Sequence, residues 1–276
     1  MTHPCKIGDL LIRITHQNND HFIDNIEKYE TQEPSEYFLG SRFVKSLEEC
    51  QEVVVKQDSF RKFYQTNQGE IMDVYHSSGE LKAKILITED YHKIEILMIP
   101  KYFPNIIDSE YIYLSMFFPE IAIRAGYVVL HASVVQINGK AILFCAPSMG
   151  GKTTHANHYL QLVEGATILN DDKALIKDGV VYGSPFSGQT KSNLNQSAPI
   201  EAVVFLSKAT TNQFTLIERQ ARLLPLIQHT LRPSSEDSWD VVLSQLGQLL
   251  NRVHCYFGHV TKDQASAESF LHFLNN

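Results

Sequence analysis

Five apolar residues, Ala141-Ile142-Leu143-Phe144-Cys145, run directly into Ala146-Pro147-Ser148-Met149-Gly150-Gly151-Lys152-Thr153, and a helix-forming stretch follows to about Val163. A strand, a glycine-containing loop and a helix in that order make an anion cradle. Backbone N–H groups of the loop converge on phosphate, Lys152 reaches its outer oxygens, and the Thr153 hydroxyl is a magnesium ligand. The helix N-terminus adds its dipole to the same charge. The pattern commits this part of the chain to an α/β arrangement. It makes Ser148, Met149, Gly150, Gly151, Lys152, Thr153 and Thr154 the expected nucleotide contacts.

Two Asn/Asp-Gly pairs frame this loop. Tyr127 to Ile137 and Lys140 to Cys145 are joined by Asn138-Gly139, and Ala174 to Lys177 and Val180 to Tyr182 by Asp178-Gly179. Each pair tolerates the positive φ angles of a two-residue type I′ turn, so each marks a hairpin. Between the hairpins, Ala166 to Asn170 reads as a strand ending in Asp171-Asp172, which would bring a carboxylate beside a metal held at Thr153. Gly183-Ser184-Pro185-Phe186-Ser187-Gly188 then reads either as a loop whose backbone can approach a ligand closely, the acceptor substrate, or as an ordinary surface loop.

The first hundred residues read differently. Leu10 to Ile14, Phe60 to Gln65, Glu70 to Tyr75, Leu81 to Thr88 and His92 to Ile99 have strand composition, and the last four are separated by short polar turns suited to an antiparallel meander. Glu48, Glu49, Glu52 and Asp58 read as a solvated face. Asp108 or Ser109 is the expected N-cap of a helix reaching about Ala125, kinked or divided at Pro119 and stopped by Gly126. Two domains are therefore expected, residues 1–108 and 109–276, with that helix belonging to either side of the boundary. Further on, Glu201 to Leu206 and Val253 to Phe257 read as strands. Gln220 to Leu231, Trp239 to Asn251 and Ser266 to Leu274 read as helices.

A formal net charge of −7 over 276 residues argues against nucleic acid or an anionic membrane as partner. No stretch approaches the roughly 20 apolar residues of a membrane helix, and Met1 to Lys6 lacks the apolar core of a secretion signal, so a cytoplasmic location is expected. The four cysteines lack C-x-x-C spacing and fit reduced thiols, with Cys145 in the core. His155 and His158, three apart on the helix after the loop, read as packed or solvated positions ahead of metal ligands.

Taken together, Leu130-His131-Ala132-Ser133, the Ala146 to Thr154 loop, Asn170-Asp171-Asp172 and Gly183 to Gly188 resemble the HPr kinase/phosphorylase family, whose catalytic fold is shared with ATP-dependent phosphoenolpyruvate carboxykinase. They are most similar to the stand-alone serine kinases encoded with lasso and other ribosomally made peptides. The resemblance covers residues 127 to 210 firmly and is weak before 108. It implies a C-terminal P-loop domain with a mixed sheet, preceded by a small β-rich α+β domain. It also implies ATP and Mg2+ as cofactors and a serine on a peptide or small protein as acceptor. A homo-oligomer is implied by the same analogy. By this resemblance Lys152 holds the β- and γ-phosphates, Thr153 ligates magnesium, and His131 lies beside the γ-phosphate. Asp171 is assigned as the general base and Asp172 as the metal-side acid. A small-metabolite kinase and a nucleotide-binding module without transfer activity are the alternatives. The sequence departs from the family at Met149, which stands where glycine is usual, at Thr153 for serine, and at Lys173 for arginine. Arg219, Arg222 and Arg232 could help neutralise the transferred phosphate, with a structural or surface role the default for each.

Overall fold

The computed structural model describes residues 1–17, 24–188 and 190–274. The chain divides into two compact units, Met1–Ala125 and Gly126–Asn276. Both are mixed α/β structures.

The first unit is an eight-stranded sheet of β1 (Thr2–Ile7), β2 (Leu10–Thr15), β3 (Tyr37–Phe43), β4 (Val54–Gln57), β5 (Arg61–Thr66), β6 (Gly69–Tyr75), β7 (Leu81–Thr88) and β8 (Lys93–Met98). Its order is β1-β2-β3-β8-β7-β6-β5-β4. The expected meander is the antiparallel run β5 to β8, while β2–β3 and β3–β8 pair in parallel. On β7 the core takes Leu81, Ala83, Ile85 and Ile87, every second residue, as the pleat requires. The segment holding Glu48, Glu49, Glu52 and Asp58 is exposed, as expected for a solvated face.

Helix α1 (Ile106–Arg124) packs on β3 and β8 and so lies with the first unit, one of the two sides open to it from the sequence. The cap is Asn105, upstream of the expected Asp108 or Ser109: its Oδ1 accepts from the N–H groups of Ile107 at 3.1 Å and Asp108 at 3.3 Å. The helix runs through Pro119 undivided, and Gly126 at φ +90° follows its last turn. No helix among the described residues is long and apolar enough to cross a membrane.

The second unit holds β9 (Val128–Ile137), β10 (Lys140–Cys145), β11 (Thr167–Asn170), β12 (Lys173–Lys177), β13 (Val180–Tyr182), β14 (Ser197–Lys208), β15 (Gln213–Leu216) and β16 (His254–Val260). Both expected hairpins are present, with positive φ at Asn138, Gly139, Asp178 and Gly179. Two long strands tie the sheet together. The first half of β9 pairs with β12 and its second half with β10 and β11, while β14 pairs in turn with β13, β10 and β16.

Helices α2 (Lys152–Leu162), α3 (Leu223–His229), α4 (Asp237–Arg252) and α5 (Ala265–Leu274) complete the unit. Where one helix over Gln220 to Leu231 was expected, a 3-10 turn at Arg219–Ala221 precedes α3, because Pro225 has no N–H and fits only a first helical turn. Around Phe144 the core is aromatic: Tyr159 of α2 stacks on it at 5.2 Å and Phe270 of α5 meets it edge-on at 6.3 Å.

Candidate functional site

The loop after β10 turns tightly. A Cβ on Gly150 would lie 2.7 Å from both the Ala146 Cβ and the Pro147 carbonyl, so only glycine fits there, and Gly151 at φ +96° opens α2. Met149 adopts the left-handed conformation glycine would take, φ +59°, and sends its side chain to solvent, 90% exposed. The unusual residue therefore leaves the turn intact. Lys152 is buried, and its ammonium donates to the Ala146 carbonyl at 3.0 Å. Burial lowers its pKa from the ordinary lysine value, while Asp172 and Asp171 act in the opposite sense.

His131 and Ser133 stand two apart on β9 and so share a face of the strand. Each reaches one of the two aspartates. His131 Nε2 lies 3.1 Å from Asp172 Oδ1, and the Ser133 hydroxyl donates to Asp171 Oδ1. Thr153 Oγ1 donates to the same Asp171 carboxylate, at 2.9 Å to Oδ2 and 3.1 Å to Oδ1. Lys173 Nζ sits 2.7 Å from Asp172 Oδ2. The two carboxylates thus have opposite surroundings. Burial raises Asp171 above the usual carboxylate range, although hydroxyls of Ser133, Thr153 and Thr190 partly offset it. Burial would also raise Asp172, but His131 and Lys173 overcome it and bring its pKa down to about 2.

Asn170 fixes the turn that presents the pair. It is fully buried, its Oδ1 accepts from the N–H groups of Asp172 and Lys173 at 2.9 and 2.7 Å, and its Nδ2 donates to the Ser184 carbonyl at 2.9 Å.

The chemistry of this donor set suits a magnesium-bound triphosphate. Hydroxyl and carboxylate oxygens are hard donors, and Mg2+ takes only one or two protein carboxylates beside phosphate and water. Among the described residues no group of three or more His, Cys, Asp or Glu side chains is arranged to hold a metal ion by itself, and such a cage is not needed for magnesium bound beside phosphate and water. First-turn N–H groups of an α-helix have no intrahelical partner, which suits the start of α2 to an anion.

No protein-family model and no curated protein matches this chain. The likeness to the HPr kinase family rests on the motifs themselves and their order.

The structure brings Lys152, Thr153, Asp171, Asp172 and His131 together. It changes two expectations. Asp171, not Asp172, faces the Thr153 hydroxyl, and Asp172 pairs with His131. The Gly183 to Gly188 loop is also not an open substrate surface: Ser184, Pro185, Phe186 and Ser187 are buried, and the two serine hydroxyls donate to the carbonyls of Lys173 and Thr190. Only Gly188 borders the site, its Cα placed so that a Cβ would stand 3.2 Å from Asp172 Cβ. Ser148 and Thr154 are exposed on either side of the loop. His155 is spoken for, with Nδ1 3.0 Å from Ser266 Oγ and Nε2 3.2 Å from the Tyr159 hydroxyl. Arg222 ties backbone carbonyls at Ile217 and Val253, and Arg219 bonds Asn251, both structural.

Two neighbours were missed. Thr190 acts to lower the Asp171 carboxyl pKa, and its own hydroxyl donates to the Ser187 carbonyl at 3.0 Å. His229, stacked on Phe205 at the end of α3, is pushed down first by burial and then by the charges of His131 and Lys152. Neither belongs to a local pattern; the Leu130–Thr230 bridge that brings the end of α3 beside His131 is a tertiary contact.

Proposed function

We propose that this chain is a magnesium- and ATP-dependent kinase that transfers the γ-phosphate to a serine hydroxyl on a peptide or small protein. The supporting observation is the pairing of Thr153 with Asp171 on one side of the P-loop lysine and of His131 with Asp172 on the other. Magnesium, if held at Thr153 and Asp171, would supply charge neutralisation to the phosphates. Thr153 and Asp171 hold the metal side, and Lys152 offsets the charge on the transferred group. Asp172, oriented by His131, positions the acceptor hydroxyl and takes its proton as the new P–O bond forms and the bond to the ADP oxygen breaks. A phosphoryl transition state is loose, with little bond to the incoming oxygen, so a carboxylate of low pKa suffices there. This reverses the roles expected for the two aspartates, on geometry first. The serine and peptide preference comes from the family resemblance.

The test is transfer from γ-labelled ATP with magnesium to serine-bearing peptides. Asp172→Asn should lower the rate about 10²- to 10⁴-fold while ATP binding, followed by calorimetry, is retained. An undiminished rate would remove Asp172 from the acceptor side. Wild-type protein that binds ATP and labels no hydroxyl would be a nucleotide-binding module instead.

A further inference from the structure

The sheet of the first unit ends in two edge strands, β1 and β4, and the chain treats them differently. At β1 the outer side is closed. Pro4 has no N–H to offer, its carbonyl accepts from the Thr31 N–H at 2.9 Å, and Cys5 meets Glu30 in an isolated antiparallel bridge. β4 pairs with β5 on one side only. Every residue from Gln51 to Phe60 is exposed, so no described residue covers its outer side. Val53, Val54 and Val55 stand 81, 38 and 63% exposed, and Phe60 54%. The strand is short and carries a bulge at Val55, which limits how far a whole sheet could run along it but leaves its valines bare. Apolar, β-branched side chains in water beside an open row of backbone groups are what strand addition uses: main-chain bonds give affinity, and alternate side chains give selectivity. The approach to this edge is acidic. Glu48, Glu49 and Glu52 precede the valines, and among the described residues only Glu49 of the three meets a cation, Lys62 at 3.3 Å.

We infer that β4 and the acidic run before it dock an extended, basic segment of a partner polypeptide, which adds to the sheet as a further strand. Lysine or arginine of the segment lies beside Glu48 and Glu52, and its β-branched or aromatic side chains lie beside the valines. A second copy of this chain fits poorly. Two β4 strands paired antiparallel about the middle of Val54–Gln57 would set Val55 of each copy against Lys56 of the other and Val54 against Gln57, apolar against polar, and both copies carry a net charge of −7. This surface belongs wholly to the first unit and does not depend on phosphoryl transfer by the second.

The probe is a dye-labelled peptide of about twelve residues that alternates valine with threonine and ends in three lysines. Its controls are the same peptide ending in three glutamates and the lysine peptide N-methylated at its central amides. Binding to the full chain is followed by fluorescence anisotropy at low salt. The lysine peptide should bind about tenfold more tightly than either control. Val55→Pro removes an N–H at the bulge position, which has no opposite residue on β5, and Glu52→Lys reverses a charge of the acidic run. Each should weaken the lysine peptide by about fivefold or more, with circular dichroism checking that the fold is kept. Equal affinity for the three peptides, no binding, or affinity unchanged in both variants would overturn the docking site. A dimer formed through β4, lost in Val55→Pro and indifferent to the lysine peptide, would give the edge to a second copy and overturn it as well. If Val55→Pro does not fold, Glu52→Lys and the N-methylated peptide decide.

Discussion

Both units bury charged and polar groups in a mixed sheet, yet they bury them in different ways. In the first unit three buried or half-buried ionisable groups close on neighbours within the fold. Asp73 pairs with Lys84 at 2.8 Å, His3 with Glu30 at 2.6 Å, and Glu110 accepts from the Ser41 hydroxyl and the Gln17 N–H. In the second unit Lys152 opens α2, His131 lies within β9, and Asp171 and Asp172 share the turn between β11 and β12, and the four come together. Closed pairs satisfy the backbone and side chains around them and hold a shape. Convergent groups, with carboxylate pKa values pushed in opposite directions, are what proton and phosphate chemistry requires.

The contrast breaks first at Asp73. Its side chain is fully buried and its partners are Lys84 and the Cys50 N–H at 2.9 Å. Lys84→Met should leave an uncompensated buried carboxylate and cost about 3–5 kcal/mol, read as lost amide protection in β6 and β7. Adding Asp73→Leu should recover most of it, since an ion pair exchanged as a whole for apolar groups is near neutral. A small effect of the single change would mean that the pair is not a structural closure.

Next in size is glycine. A Cβ on Gly183 would stand 1.9 Å from the Leu194 carbonyl oxygen and 2.7 Å from that of Leu169, both backbone, whereas Gly79 in the first unit has open space and φ +93°. Gly183→Ala should cost about 3 kcal/mol by overpacking, and Gly79→Ala about 1–2 kcal/mol of backbone strain. Urea denaturation compares the two. Equal costs would show that the loop under Asp172 is looser than the first unit's turns.

How far the sequence discloses these differences depends on whether the cause is local. The hairpins at Asn138-Gly139 and Asp178-Gly179, the strand, glycine turn and helix from β10 to α2, and the strand ending in two aspartates are local patterns, and all are legible. β3 is not, because Gly40 weakens its strand composition; the structure compensates by laying the Phe38 ring where a Gly40 Cβ would come within 2.5 Å. β1 hides its alternation of His3, Cys5 and Ile7 behind Pro4 and polar neighbours. β4 is an exposed edge with no buried face to mark it. At the site, the roles of Asp171 and Asp172 are illegible because adjacent residues diverge according to the turn that Asn170 holds. Thr190 and His229 enter only by tertiary folding.

His155 gives a smaller, pH-dependent effect. Burial, and then the nearby His158, depress its pKa to about 3, against about 6.5 for an unperturbed histidine. The unfolded chain therefore binds a proton that the folded chain refuses. The stability this provides is complete above about pH 6.5 and is lost as pH falls toward 3, at about 1.4 kcal/mol per pH unit for one proton. His155→Gln should flatten the stability curve in that window relative to the wild type, followed by thermal melting. An unchanged slope would show that the ring is protonated in the fold.

The smallest effect is expected where the sequence reads a solvated face. Glu49 lies 3.3 Å from Lys62, but both side chains are substantially exposed, at 51% and 34%. Water already solvates each charge, and two flexible side chains lose entropy to meet, so Glu49→Gln should change stability by less than about 0.5 kcal/mol. The effect should shrink further at 1 M salt, where screening acts within about 3 Å. Lys84→Met and Glu49→Gln thus remove one member of an ion pair from the same sheet with costs about tenfold apart. What separates them is access to water, not distance alone. A salt-insensitive loss above 1 kcal/mol for Glu49→Gln would show that this face is covered in solution.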